Sequence, residues 1–200
     1  MKLLFIGGTG IITVGALVTT AAHLEGKSAS VLDFMGFAQK GGPVIAFVRL
    51  AHDPSLLHQA RIDTQQADAM IVGDLVVGAS ANALQCASRG RTRAAVNLHQ
   101  IPTYAFVNQP EAQLHTDALL EKIEHATGGK DVSTCDAQAL SEQLFGDTLT
   151  ANVLLLGFAW QHGLVPLSLA SLERALERGA SLDDVERLLA ALDTLGVKPG

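Results

Sequence analysis

Residues 7–15, GGTGIITVG, join the apolar run Leu3–Ile6 (LLFI) to an alanine-rich run that reads ALVTTAAHL. A chain that leaves an apolar strand through glycines and enters a helix at once has begun a β-α unit, and that order commits it to a layered α/β fold. The helix reading of residues 10–24 rests on spacing: Ile11, Val14, Val18 and Ala21 or Ala22 share one stripe, and Gly26 stands where a left-handed cap ends a helix. Short runs rich in branched residues predict strands at Leu3–Ile6, Ser30–Phe34, Val44–Leu50, Leu75–Ser80, Ala94–Leu98 and Asp131–Cys135. Residues 111–127 repeat the helical pattern through Leu114, Ala118, Leu119 and Ile123 and stop at Gly128 and Gly129. The expected architecture is α/β: a layered, mostly parallel or mixed sheet flanked by helices, with a helical C-terminal tail.

The last quarter changes character. From Asp147 to Leu164 the sequence DTLTANVLLLGFAWQHGL has a capping residue and an almost wholly apolar middle, as for a helix buried on several sides, with Pro166 as its stop. Two amphipathic segments follow, Leu169–Arg178 and Leu182–Leu195, the second opening on a Ser181-x-x-Asp184 capping pattern. Leu182, Val185, Leu189 and Leu192 form one stripe, so the tail is expected to pack on the body or on a second copy, giving a possible homodimer. The expected organisation is a body over residues 1–178 and a helical tail over 179–200.

Composition then removes whole classes of function. At 200 residues, 48% of them hydrophobic, the chain can bury one good core. A net charge of -6 offers no basic face to a phosphodiester backbone, so nucleic acid is not an expected partner. No apolar run approaches the roughly twenty residues of a bilayer span, and the first thirty residues lack a basic start with a cleavage site; a soluble, cytoplasmic protein is expected. The two cysteines, Cys86 and Cys135, supply neither a CxxC pair nor the four thiolates of a structural metal or iron-sulfur site. The seven histidines show no i, i+4 pair and no carboxylate spacing of a metal centre, so no metal is assigned.

The glycine turn can be read three ways. As a dinucleotide fingerprint it has Gly8 and Gly10 in the first two places and Thr13 in the third, with Asp33 about where a ribose-binding carboxylate belongs. As a phosphate loop it fails, because Ala16 and Leu17 follow Gly15 where Lys and Ser or Thr are required. As structure alone it is a strand-to-helix turn that wants small residues.

Five stretches decide among these readings: GGTGIITVG; LDFMGFAQKGGPVIAFVRL at Leu32–Leu50; ADAMIVGDLVVGAS at Ala67–Ser80; GRTRAAVN at Gly90–Asn97; and NVLLLGFAWQHGLVPLSLASLERAL at Asn152–Leu176. In that order they resemble the gamma-type domain of the 2-oxoacid:ferredoxin oxidoreductases, above all the indolepyruvate (arylpyruvate) form, from about Leu4 to Arg178. The resemblance implies an enzyme that decarboxylates a 2-oxoacid on thiamine diphosphate, passes electrons through iron-sulfur clusters to ferredoxin and delivers the acyl group to coenzyme A. It also implies that this chain is one component, inactive alone and binding none of these cofactors by itself. Its only Gly-Asp pairs, Gly73-Asp74 and Gly146-Asp147, are each followed by the wrong residue for the family's thiamine motif. Thiamine- and cluster-bearing partner subunits are therefore expected. No catalytic residue is assigned here. The cofactor-facing or interface residues implied are Gly8, Thr9, Gly10, Gln39, Lys40, Gly41, Gly42 and Asn97, with Lys40 as the charge contact in the loop before the third strand.

Other residues carry weaker signals. Arg89, Arg91 and Arg93 could meet the phosphates of coenzyme A, although a solvated turn is the simpler reading. Arg49 pairs with Asp33 or Asp74, or is a strand-edge charge. Asn97 and His99 fall at or past the carboxyl end of a strand, where open α/β sheets bind ligands. Asn152 and Trp160 read as a satisfied polar residue at a helix contact and an aromatic core residue. Two rival functions remain: a stand-alone dinucleotide-binding oxidoreductase using Gly8, Gly10 and Asp33, and a non-catalytic interaction domain that dimerises through its tail.

Overall fold

The computed structural model describes residues 1–8, 10–35, 43–99, 116–129 and 131–179. Six strands form one sheet: β1 (Lys2–Gly7), β2 (Ser28–Met35), β3 (Val44–Ala51), β4 (Ala69–Val72), β5 (Arg93–Asn97) and β6 (Val132–Cys135), in the spatial order β2-β3-β1-β4-β5-β6. β1, β4, β5 and β6 are parallel, and β3 runs antiparallel to both its neighbours, β1 and β2. The α/β expectation with a mixed sheet holds.

The central strands read as continuous apolar runs because they are covered on both faces. Leu3, Phe5, Ala46, Val48, Ile71 and Ala95 face one cluster, packed by α1 (Gly10–Leu24), α6 (Ala151–Gln161) and α7 (Leu169–Gly179). Leu4, Ile6, Ile45, Phe47, Met70, Val72 and Val96 face the other, under α2 (Leu75–Gly78), α3 (Ala81–Leu84) and α4 (Thr116–Thr127). A further helix, α5 (Ala137–Phe145), follows β6. α1 buries the stripe Ile11, Val14, Val18, Ala21 and Ala22 foreseen from its spacing, and Gly26 closes it at φ +72°, where Lys27 N–H donates to Ala22 O.

Three expectations are corrected. Residues 75–78 are helix, not strand; the strand in that region is AMIV at Ala69–Val72, and Asp74 caps α2 by accepting from Val77 N–H. The apolar helix begins at Ala151 rather than Asp147, whose carboxylate is taken by Leu149 N–H in a preceding turn. It ends because Gly163 adopts φ +70° and Leu164 N–H returns to Ala159 O, three residues ahead of Pro166. In α4 the buried side is Ile123 and Thr127, and Ala118 faces solvent. Leu114 and the segment Leu182–Leu195 lie outside the described residues, as does nearly all of the 179–200 tail.

α7 is clasped to the end of α1. Ser168 N–H donates to Glu25 Oε1 at 2.5 Å, and Lys27 Nζ reaches both Glu25 Oε2, at 2.6 Å, and Pro166 O, at 2.7 Å. Burial opposes ionisation of Glu25, but hydrogen bonds from Lys27 and from the Ser168 N–H and hydroxyl outweigh it and hold the carboxyl at about 2. A folded value below the free one stabilises fully above about pH 4.3 and is lost as pH falls towards 2. Glu25→Gln is expected to lower stability at pH 7 by about 1 kcal/mol, a modest figure because solvent screens the site. It should also flatten the acid fall between pH 4 and 2; urea titrations at pH 7 and pH 3 that gave parallel losses in both proteins would refute this.

Candidate functional site

The chain turns left from β1 to β2 and right from β4 to β5, so the carboxyl ends of β1 and β4 flank the switch point at which open α/β sheets bind ligands. The two turns there approach closely. Gly73 N–H donates to Ile6 O at 2.6 Å, and a methyl on Gly73 would lie 3.3 Å from that same carbonyl oxygen. Glycine at Gly73 is thus set by backbone approach. Gly8 differs: it is exposed, and among the described residues an added methyl would meet nothing within 4 Å, so they leave the space over it open.

Over Gly10 and Gly73 sits Asn152, from α6. Its Nδ2 would be 2.3 Å from a methyl on Gly10, and its Oδ1 is 3.1 Å from one on Gly73. Asn152 therefore holds the ground between the two turns, a role that the apolar helix around it hid. The one cue was a polar residue opening an otherwise apolar run.

Asn97, 2% exposed, ends β5 and ties the site together. Its Nδ2 donates to Gly73 O at 3.0 Å and to Gln138 Oε1 at 2.6 Å, while its Oδ1 accepts from Ala137 N–H at 2.9 Å at the start of α5 and from His99 N–H at 3.4 Å. Every hydrogen-bonding position of this amide is used within the chain, so Asn97 positions the turn after β4 rather than reaching a ligand. Thr9, Gln39, Lys40, Gly41 and Gly42 lie outside the described residues.

The dinucleotide geometry is not met. β3 stands between β1 and β2, so Asp33 is two strand spacings, roughly 10 Å, from β1. The helix-to-sheet contact that a third glycine would make falls to Gly15, whose methyl would touch Val31 and Ala46 at 3.4 and 3.7 Å, while Thr13 is exposed.

Of the three arginines around the start of β5, Arg89 is exposed and the other two are spoken for. Arg91 Nε and Nη2 donate to Asp68 at 2.9 and 2.5 Å; Arg93 donates to His162 O at 2.8 Å. Both lie at the amino end of β5, the opposite end of the sheet from Gly8. Arg49 donates to Gln59 O and pairs with neither Asp33 nor Asp74. Trp160 is partly buried and donates to Leu167 O at 2.7 Å.

The residues present do not fit thiamine diphosphate or an iron-sulfur cluster. Asp74 and Asp147, the acids of the two Gly-Asp pairs, each cap a following turn, Oδ1 accepting from the N–H of Val77 and of Leu149, and neither is followed by the residue the thiamine motif requires. Burial pushes the Cys86 thiol up, and burial together with Asp136 raises Cys135 to about 11; the two thiols pack against opposite faces of the sheet, so they cannot join in one cluster. Among the described residues no group of three His, Cys, Asp or Glu side chains gathers to hold a metal.

A family model described as pyruvate ferredoxin/flavodoxin oxidoreductase matches residues 6–193. The pyruvate/ketoisovalerate oxidoreductases common subunit gamma of Pyrococcus furiosus is 27% identical, over 86% of this chain and 80% of its own length. Indolepyruvate oxidoreductase subunit IorB of Pyrococcus horikoshii is 29% identical, over 96% of this chain and 91% of its own. The pyruvate oxidoreductase subunit PORC of Thermotoga maritima shares the fold at a TM-score of 0.64 and 18% identity, covering 97% of this chain and 93% of that one. A 2-oxoglutarate:ferredoxin oxidoreductase of Magnetococcus marinus superposes on all of this chain with 32% of its own, at a TM-score of 0.67 and 12% identity.

Proposed function

The chain belongs to the pyruvate ferredoxin/flavodoxin oxidoreductase family, and from that premise we propose that it is the gamma subunit of a 2-oxoacid:ferredoxin oxidoreductase, with an indolepyruvate or arylpyruvate as the substrate class. The observation that carries this reading is the pairing of a family match across residues 6–193 with side chains that suit neither thiamine diphosphate nor a cluster. A member of this family so equipped completes an active site whose cofactors other subunits hold. The subunit interface then runs over the carboxyl end of the sheet at Gly8 and Gly10, and Thr9, Gln39, Lys40, Gly41 and Gly42 are the further residues assigned to contact with the thiamine diphosphate and coenzyme A site. Asn97 and Asn152 hold the turns of that surface in shape.

Reconstitution tests it. The isolated chain is expected to oxidise no 2-oxoacid and to bind no NAD in calorimetry. Added to the thiamine- and cluster-bearing subunits encoded with it, it should restore 2-oxoacid-dependent ferredoxin reduction; no gain of activity on mixing overturns the reading. Gly8→Leu gives a sharper check, because its side chain enters space that the described residues leave open. Free-chain stability should stay within about 1 kcal/mol, as for surface changes generally, while the assembled activity falls at least tenfold, roughly 1.4 kcal/mol in the transition state. Unchanged activity would remove Gly8 from the interface.

A further inference from the structure

The open edge of the sheet at β2 is unlike the rest of the surface. Val31, Leu32, Phe34 and Met35 stand 39%, 41%, 47% and 56% exposed on this one strand. Among the described residues β2 pairs only with β3, through an unbroken eight-residue register from Ser28↔Ala51 to Met35↔Val44, and they leave its outer row of N–H and C=O groups unpaired. It has no lysine, no proline and no bulge, and Asp33 is its one charged side chain among the devices that keep an edge strand from taking a neighbour. The two buried polar side-chain atoms without a hydrogen-bond partner among the described residues, Ser30 Oγ and Asp33 Oδ1, belong to this same strand. Buried polar groups are normally paired, so two orphans on one exposed apolar edge mark a surface that something else completes. Burial also pushes the Asp33 carboxyl up, as expected of an acid lacking a cation.

We propose that the outer edge of β2 receives an extended segment of a partner subunit of the same oxidoreductase, which adds a strand to the sheet, covers Val31, Leu32, Phe34 and Met35, and brings a cationic side chain to Asp33. The inference rests on the function proposed above and adds where the partner docks and what chemistry it carries. A second copy of this chain fits less well. In a two-fold antiparallel pair, residues i and j that face each other have a constant sum, and because they share a sheet face that sum is even. Registers centred on Val31 or Leu32 set Asp33 against Ala29 or Val31 of the other copy, and one centred on Asp33 sets two carboxylates together. SASVLDFM holds no cation to answer either arrangement. On a chain of net charge -6, a cation-bearing segment is also the complementary partner overall.

The test uses the full chain, its partner subunits and two variants. Leu32→Lys places a charge on the open edge; Asp33→Asn keeps the shape and removes the charge. Calorimetric titration into the partner subunits should show binding weakened about a hundredfold by Leu32→Lys and about tenfold by Asp33→Asn. The melting temperature of free Asp33→Asn should rise, since it loses an uncompensated buried charge, whereas a merely structural aspartate would lower stability and binding together. If the wild type binds the partner subunits and both variants bind equally well, the docking proposal falls and the function stands. If the wild type neither binds them nor restores activity, both fall. A free chain that is dimeric, and monomeric as Leu32→Lys, overturns the proposal in favour of a second copy.

Discussion

Asn97→Leu is expected to cost about 3 kcal/mol of stability, because it strands one fully buried backbone group and one partly buried one, each worth roughly 1–3 kcal/mol when left unpaired. The orphans are Ala137 N–H at the start of α5 and Gly73 C=O in the turn after β4. A chain of this length loses roughly 2–4 °C of melting temperature per kcal/mol, so a drop near 10 °C is expected. Asn97→Asp separates the amide's two halves. It keeps an acceptor for Ala137 N–H but sets a carboxylate against the oxygens of Gly73 and Gln138. An acid so placed has a raised folded value, and its variant should be least stable at neutral pH and recover as pH falls through the range where carboxylates protonate. Thermal melts at pH 7 and pH 4 decide it: if Asn97→Asp melts at the wild-type temperature at pH 7, the Asn97 amine is not the tie described above.

Gly78→Ala pits two principles against each other. In a helix interior alanine is favoured over glycine by about 1 kcal/mol, so even at Gly78, the last residue of the one-turn α2, propensity alone predicts a smaller gain. The tertiary structure predicts the reverse, since the new methyl would lie 2.3 Å from Val72 Cγ1 and 3.4 Å from Ile123 Cδ1. Both neighbours are fully buried, and a β-branched valine in a packed strand has no free rotamer to offer, so overpacking should win by about 2 kcal/mol. The double variant Gly78→Ala/Val72→Ala should be more stable than the sum of its parts, because the second change removes the obstacle to the first. A single variant more stable than wild type would mean that α2 can slide off β4.

α1 could be read from the chain because its causes are local: a stripe at helical spacing and a glycine that accepts φ +72°. The central strands could be read for the same kind of reason, as apolar runs too short for helices. The error at Leu75–Ser80 shows the limit of that method. AMIV and LVVG are both brief apolar runs either side of Gly73-Asp74, and periodicity cannot rank two such runs. The aspartate was the missed signal, since a side chain that caps Val77 N–H announces a helix beginning, not a strand.

Site residues divide along the same line. Gly8 and Gly10 were visible as a turn, and Asn97 as a polar residue closing a strand. Asn152 was read only as a polar residue at a helix contact, because its place between Gly10 and Gly73 comes from residues far from it in sequence. Gly15, the true close contact between helix and sheet, was masked by the fingerprint that put Thr13 in that place.

What the amino acids determined unaided were the α/β class, the buried stripe of α1 and the poverty in cluster cysteines and thiamine motifs, because each follows from neighbours along the chain or from a count. The strand order, with antiparallel β3 parting β1 from β2, was decided only in the folded molecule, and so were the seat of Asn152 and the bare edge of β2. Those features arise from pairings between distant segments, where several partners satisfy the same local pattern and only the joint packing of the whole core selects among them.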